Sequence, residues 1–105
     1  QEEVAIVLAR VPELDTERGR RQVASLVRVA ALPRKGFEVG DLSTLMSQRT
    51  VITWAENMQI FGDVELAFRL SFLNKCEEVE RPIVAEYYQR SFNDEILESS
   101  LHALR

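Results

Sequence analysis

The stretch "SQRTVITWAENMQIFGD", Ser47 to Asp63, has the pattern of a complete helix with both ends marked. Ser47 is a favourable N-cap, because its hydroxyl can accept a hydrogen bond from a backbone N–H of the first turn. Gly62 is well placed as the residue that follows the helix. Between these ends, one buried helix face is indicated by Val51, Trp54, Ala55 and Met58. We therefore predict a helix from Gln48 to Phe61, with Trp54 in the core.

One residue of this helix conflicts with its position. Arg49 lies in the first turn, which is the positive end of the helix macrodipole, so its charge is unfavourable there. A solvent-exposed arginine would tolerate this small cost, whereas an arginine that contacts an anion would be stabilised by it. The residues alone leave both interpretations of Arg49 open.

Two further helices are predicted before this stretch. The first runs from Glu2 to Val11 and ends at Pro12. The second is capped by Asp15 or Thr16 and ends at Pro33, because proline disrupts a helix interior. Its apolar stripe consists of Val23, Leu26, Val27 and Ala30. Its arginines lie largely away from that stripe and are candidates for a subunit contact.

The segment from Arg34 to Met46 is the least regular part of the chain. Because glycines punctuate it, we predict an ordered loop with a short extended piece near Glu38. Its apolar residues must still be covered, so we expect the loop to be pinned by Phe37, Val39, Leu42 and Leu45.

The remainder is also predicted to be helical. Asp63 caps a fourth helix that extends to Cys76 and is apolar almost all round, which is typical of a central, buried helix. A fifth helix spans Glu77 to Phe92, begins close to Pro82 and buries Ile83, Val84, Tyr87 and Tyr88. The tail from Ile96 to Leu104 is compatible with a last short helix. The predicted fold is all-α: one small bundle of about five helices, residues 1–105.

Composition limits the classes of function. The chain has 105 residues, 13 basic and 17 acidic, and a net charge of −4, which supports neither nucleic-acid nor membrane binding. Its single cysteine, Cys76, allows no disulfide within the chain and is typical of a reducing compartment, so we predict a cytoplasmic protein. Because the chain begins at Gln1 without an initiator Met, we expect it to be a fragment of a longer protein.

The residue types needed for independent catalysis are not assembled in the sequence. It contains neither of the glycine-rich phosphate-binding patterns G-x-x-x-x-G-K-[ST] and G-x-G-x-x-G. His102 is the only histidine, and no ligand spacing suggests a metal site. We expect the neighbouring Glu77 and Glu78 to raise the pKa of Cys76, which disfavours a reactive thiolate. This chain alone is not a complete enzyme.

A resemblance is carried by "MSQRTVITWAENMQIFGDVELAFRLSFLNKCEEVERPIVAEYYQRSF", Met46 to Phe92. This stretch resembles the C-terminal lid of an AAA+ ATPase, and more closely that of the ATPase subunit of aerobic cobaltochelatase. The earlier stretches "EEVAIVLARVPELD" and "GDLSTLMS" follow the same family. The resemblance therefore covers nearly the whole chain.

The resemblance implies a role for Arg49. In such ATPases an S-P-R motif opens a lid helix, and its arginine is the sensor-2 residue that reaches the terminal phosphates of ATP. Carried over, Ser47 and Arg49 are the candidate nucleotide-binding residues, and Arg49 is the candidate catalytic one. The proline of the motif is replaced here by Gln48, which loosens that turn because proline is preorganised for the first helical position.

The resemblance also implies partners and cofactors. ATP and Mg²⁺ would be held by the full-length protein, whose Walker motifs and arginine finger precede this chain. The implied partners are its own core domain, copies of itself in a ring, a second chelatase subunit with a metal-binding interaction domain, and a large catalytic subunit. Without that core domain, the apolar residues Phe37, Leu42 and Leu45 are expected to be exposed and to form a sticky patch. The motor would drive insertion of cobalt into a corrin precursor in cobalamin biosynthesis.

Two other hypotheses for the function of this chain stay open. One is the lid of a related MoxR-type or magnesium-chelatase-type ATPase, which upstream sequence would distinguish. The other is a free-standing helical interaction or DNA-binding module, which would need a basic recognition helix that this acidic chain does not offer.

Overall fold

The computed structural model describes residues 2–91, and that part of the chain consists of helices and turns. The α-helices are α1 (Glu2–Arg10), α2 (Glu17–Glu38), α3 (Gln48–Phe61), α4 (Val64–Ser71) and α5 (Arg81–Ser91). Short 3₁₀ turns occupy Pro12–Leu14, Leu73–Lys75 and Glu78–Glu80. The predicted all-α class and helix number are confirmed. The predicted tail helix, Phe92 and His102 lie outside the described residues.

An aromatic cluster joins three helices. Trp54 of α3 is fully buried, and its ring centroid lies 5.0 Å from that of Phe68 in α4. Phe68 in turn stacks on Tyr88 of α5 with centroids 4.5 Å apart. The indole N–H of Trp54 donates to the carbonyl oxygen of Val64 at 3.2 Å, so its polar edge is satisfied as well. The prediction that Trp54 belongs to the core is confirmed.

The helix starts follow the predicted caps. The side chains of Thr16, Ser47 and Asp63 each accept a hydrogen bond from a backbone N–H three residues on. Thr16 rather than Asp15 caps α2, and Asp15 instead pairs with Arg20 at 2.9 Å. Gly62 adopts φ 66° after α3, as its position predicts.

The predicted end of the second helix at Pro33 is wrong. α2 continues through Pro33 to Glu38, so the extended piece expected near Glu38 is helical instead. Pro33 removes one backbone donor from the helix, but its ring is fully buried. Two contacts favour the continued helix: the buried ring itself, and the hydrogen bonds of the next residue, Arg34, to Glu3 and Met46.

The fourth helix is shorter and less buried than predicted. α4 ends at Ser71, because Phe72 leaves helical geometry and a 3₁₀ turn carries the chain to Cys76. This turn allows Phe72 and Cys76 to enter the core together. Leu66 and Leu70 remain 38% and 41% exposed, so α4 buries one face only, through Ala67, Phe68 and Ser71.

The fifth helix begins later than Glu77. A 3₁₀ turn precedes it, and Pro82 lies in its first turn, where its missing N–H is not needed. Val84 and Tyr88 are buried and Tyr87 is half-buried, as predicted. Ile83 is 37% exposed, so its predicted place in the core is wrong. Of the described helices, none is long and apolar enough to cross a membrane.

Gly19 sets how closely α2 approaches the turn before it. A Cβ atom built on Gly19 would lie 1.9 Å from the carbonyl oxygen of Leu14, which is backbone and cannot rotate away. We expect Gly19→Ala to reduce the free energy of unfolding by about 1–3 kcal/mol, because the clash outweighs the better helix propensity of alanine. Urea unfolding measures this change, with the exposed neighbour substitution Arg18→Ala as the control. An unchanged or higher urea midpoint for Gly19→Ala would contradict the close approach.

Candidate functional site

The first turn of α3 holds both candidate residues. Ser47 is extended, with φ −77° and ψ 171°, and its Oγ accepts the Thr50 N–H at 3.1 Å. The hydroxyls of Ser47 and Thr50 also lie 3.0 Å apart. Ser47 is therefore engaged in shaping the turn from which Arg49 projects.

Arg49 lies on the side of α3 that faces away from the core. Rotation of about 100° per residue places it roughly opposite the face that Trp54 buries. It is exposed and shares its face with Glu56 and Ile60, which are exposed too. Within residues 2–91, the side chain of Arg49 takes part in no hydrogen bond or ion pair, and the first turn of α3 contains no acidic residue. The guanidinium of Arg49 is thus available to an anion outside the described residues.

Arg34 of α2 holds the chain just before this turn. Its Nη1 and Nη2 atoms donate to the two carboxylate oxygens of Glu3 at 2.9 and 2.7 Å. Its Nε donates to the carbonyl oxygen of Met46 at 2.8 Å. The hydrogen bonds to Glu3 raise the pKa of Arg34 above its ordinary value, although desolvation acts in the opposite direction. One planar guanidinium therefore links α1, α2 and the entry to α3.

Sequence reasoning missed this arrangement and assigned Arg34 to a loop. The three groups are distant along the chain, since 31 residues separate Glu3 from Arg34 and 12 separate Arg34 from Met46. No periodic pattern of apolar residues along the chain predicts such a contact. The only local signal is that Arg34 follows a helix stripe that could have been extended beyond Pro33.

The predicted apolar patch is confirmed only in part. Phe37 and Leu45 are 41% and 48% exposed, as expected for the patch. Leu42 is 3% exposed, so its place in that patch is wrong. Its burial follows from the longer α2, because the amide of Leu42 bonds to the carbonyl oxygen of Gly36 at 3.1 Å and turns its side chain inward.

Cys76 does not have the environment of a nucleophile. It is buried, and its thiol donates to the carbonyl oxygen of Phe72 at 3.4 Å. Burial is the main cause that raises the pKa of this thiol, and the charge of Glu80 adds to it. The predicted direction of the pKa is confirmed, but its predicted cause, Glu77 and Glu78, is wrong. Among residues 2–91, no group of three or more His, Cys, Asp or Glu side chains could hold a metal ion.

The first helical position of α3 suits a proline. Ser47 already has the extended geometry that a residue before proline needs, and Gln48 is exposed. We expect Gln48→Pro to raise the free energy of unfolding by about 0.4–1 kcal/mol, because proline restricts the unfolded chain without removing a helical hydrogen bond. Thermal unfolding measures the change, and Gln59→Pro, inside α3, is the destabilising control. A lower midpoint for Gln48→Pro would show that the turn differs from this geometry.

Comparison with known proteins gives one informative match. No protein-family model matches the chain, and no solved structure matches it significantly. Over 96 residues the chain is 58% identical to the "Aerobic cobaltochelatase subunit CobS" of Sinorhizobium sp. The match covers 91% of this chain, and the chain spans 29% of the length of that relative. The resemblance to the aerobic cobaltochelatase subunit is thereby confirmed: this chain is a relative of part of CobS.

Proposed function

We propose that this chain is the helical lid of the ATP-hydrolysing subunit of an aerobic cobaltochelatase, which drives cobalt insertion into a corrin precursor. The observation that carries the proposal is the 58% identity to CobS over 91% of the chain. That identity favours a cobaltochelatase over the related MoxR-type and magnesium-chelatase-type ATPases. The chain spans 29% of that relative, which leaves room for a separate ATPase core in the full-length protein.

In this proposal, Arg49 is the sensor-2 residue of the lid. Its exposure and lack of a partner within residues 2–91 suit a side chain whose anion belongs to another domain. An arginine is always charged and presents a planar fork of donors, which fits phosphate oxygens. Bound ATP with Mg²⁺ would supply the phosphoryl group, and Arg49 would stabilise the charge that develops on it.

The rest of the turn supports Arg49. Ser47 caps α3 and, as the first residue of the motif, would lie next to the same phosphates. Burial of Trp54 makes α3 a rigid support, so that Arg49 enters the site at a fixed angle. Because hydrolysis would remove the phosphate partner of Arg49, the same contact would couple nucleotide state to lid position.

The full-length protein would act as part of an assembly. The lid would pack on its own core domain, and copies of the full-length protein would form a ring. The ring would act with a second chelatase subunit that carries a metal-binding interaction domain and with a large catalytic subunit. The arginines of α2 that are exposed, including Arg18 and Arg21, are candidates for a contact between subunits.

We expect the isolated chain of 105 residues neither to bind ATP well nor to hydrolyse it, because it lacks the phosphate-binding loop of an ATPase. Isothermal titration with ATP and Mg²⁺, together with phosphate release, tests this prediction. The full-length protein serves as the positive control. Sustained turnover by the isolated chain would contradict the lid assignment.

We expect Arg49→Ala in the full-length protein to lower kcat for ATP hydrolysis by about tenfold or more, with ATP binding kept or modestly weakened. The reason is that the sensor contact strengthens as charge develops in the transition state. Steady-state hydrolysis and, separately, equilibrium ATP binding measure the two effects.

The matched control is Arg69→Ala, which removes an exposed arginine of α4 that pairs with Glu65 in the same helix. It should leave both quantities unchanged. If Arg49→Ala also leaves hydrolysis unchanged, Arg49 is an ordinary surface residue and its sensor role is wrong.

A further inference from the structure

Arg34 makes three directed hydrogen bonds with one guanidinium. Two of them form a bidentate ion pair with Glu3, at 2.9 and 2.7 Å, and the third reaches the carbonyl oxygen of Met46 at 2.8 Å. Charge-assisted bonds of this fork geometry restrict both the distance and the angle between the partners. The Glu3 side chain is 14% exposed, so the pair is partly shielded from water.

The Met46 carbonyl is the last peptide group before the cap of α3. Its oxygen belongs to the peptide unit that ends at the nitrogen of Ser47, so Arg34 fixes the orientation of that plane. The Met46 side chain is fully buried, so the same residue is also anchored in the core. The chain therefore enters the first turn of α3 with both its position and its direction restrained.

This restraint matters because the turn carries an unfavourable charge. Arg49 lies three residues after Met46, at the positive end of α3, and no acidic residue in the first turn compensates it. The Ser47 cap holds the turn from within, and Arg34 holds it from α2.

We propose that Arg34 is a positioning residue for Arg49: its bond to the Met46 carbonyl sets the direction in which Arg49 reaches the nucleotide phosphates. This inference rests on the proposed function. Arg34 touches no phosphate itself and acts only through the backbone between Met46 and Arg49.

Two substitutions separate the two functions of the Arg34 side chain. Arg34→Lys keeps a positive charge beside Glu3, but its single ammonium cannot serve the carboxylate and the Met46 carbonyl with the same fork geometry. Glu3→Gln weakens the ion pair and leaves the Nε atom of Arg34 in place for the Met46 carbonyl. Both should lower the unfolding midpoint, but only Arg34→Lys should disturb Arg49.

The experiment is a double-mutant cycle in the full-length protein, with kcat and KM for ATP hydrolysis measured for Arg34→Lys, Arg49→Ala and the double variant. We expect Arg34→Lys to lower kcat by about tenfold, because small misplacement of a catalytic group is costly. In the Arg49→Ala background the same substitution should change kcat by less than about twofold. Glu3→Gln and the exposed neighbour substitution Lys35→Ala should stay within about twofold of wild type in the same assay.

The outcomes distinguish this inference from the proposed function. If Arg34→Lys lowers kcat equally with and without Arg49, or alters only the unfolding midpoint, Arg34 is purely structural and the positioning role is wrong. The same follows if Glu3→Gln lowers kcat as much as Arg34→Lys does, since the loss then tracks stability. If Arg49→Ala itself leaves kcat unchanged, the sensor function fails and the positioning role fails with it.

Discussion

Burial of Trp54 is the constraint on which the rest of this structure depends. Its ring packs on Phe68, and Phe68 stacks on Tyr88, so one indole joins α3 to α4 and α5. A helix that must bury so large a side chain has a fixed rotation about its axis. That rotation directs the opposite face of α3 to solvent, and Arg49 lies on this face. The exposure of Arg49 is thus a consequence of core packing some distance away.

A second constraint fixes where α3 starts. Hydrophobic burial sets how a helix is rotated, but it is non-directional and leaves the geometry of the first turn open. Directed bonds supply that geometry: the Ser47 hydroxyl caps the turn and the Arg34 guanidinium holds the Met46 carbonyl. The aromatic cluster therefore sets the rotation of α3, and the hydrogen bonds set the geometry of its first turn. Together they determine the direction in which Arg49 projects.

Sequence patterns predicted the local features well where one segment contains all the relevant residues. The bounds of α3, its Ser47 cap and Gly62 all follow from residues within that segment, and the structure agrees. The predictions failed where a distant contact decided the outcome. α2 passes through Pro33 because the ring is buried and the following Arg34 bonds to Glu3 and Met46, which no local rule of helix termination includes. α4 stops early because Phe72 and Cys76 both turn into the core.

For the candidate site, the sequence by itself determined the class of fold, the helix that carries Arg49 and the conflict between that arginine and the helix dipole. It also determined the relationship to CobS, since identity is a property of the residues. Only the tertiary structure decided that Arg49 has no partner within residues 2–91, and that Arg34 links Glu3 to the entry of α3. The physical reason is the separation along the chain over which each interaction acts. Caps and apolar periodicity act over a few residues. The hydrogen bonds from Arg34 to Glu3 and Met46 join distant residues, so they form only after the helices have packed.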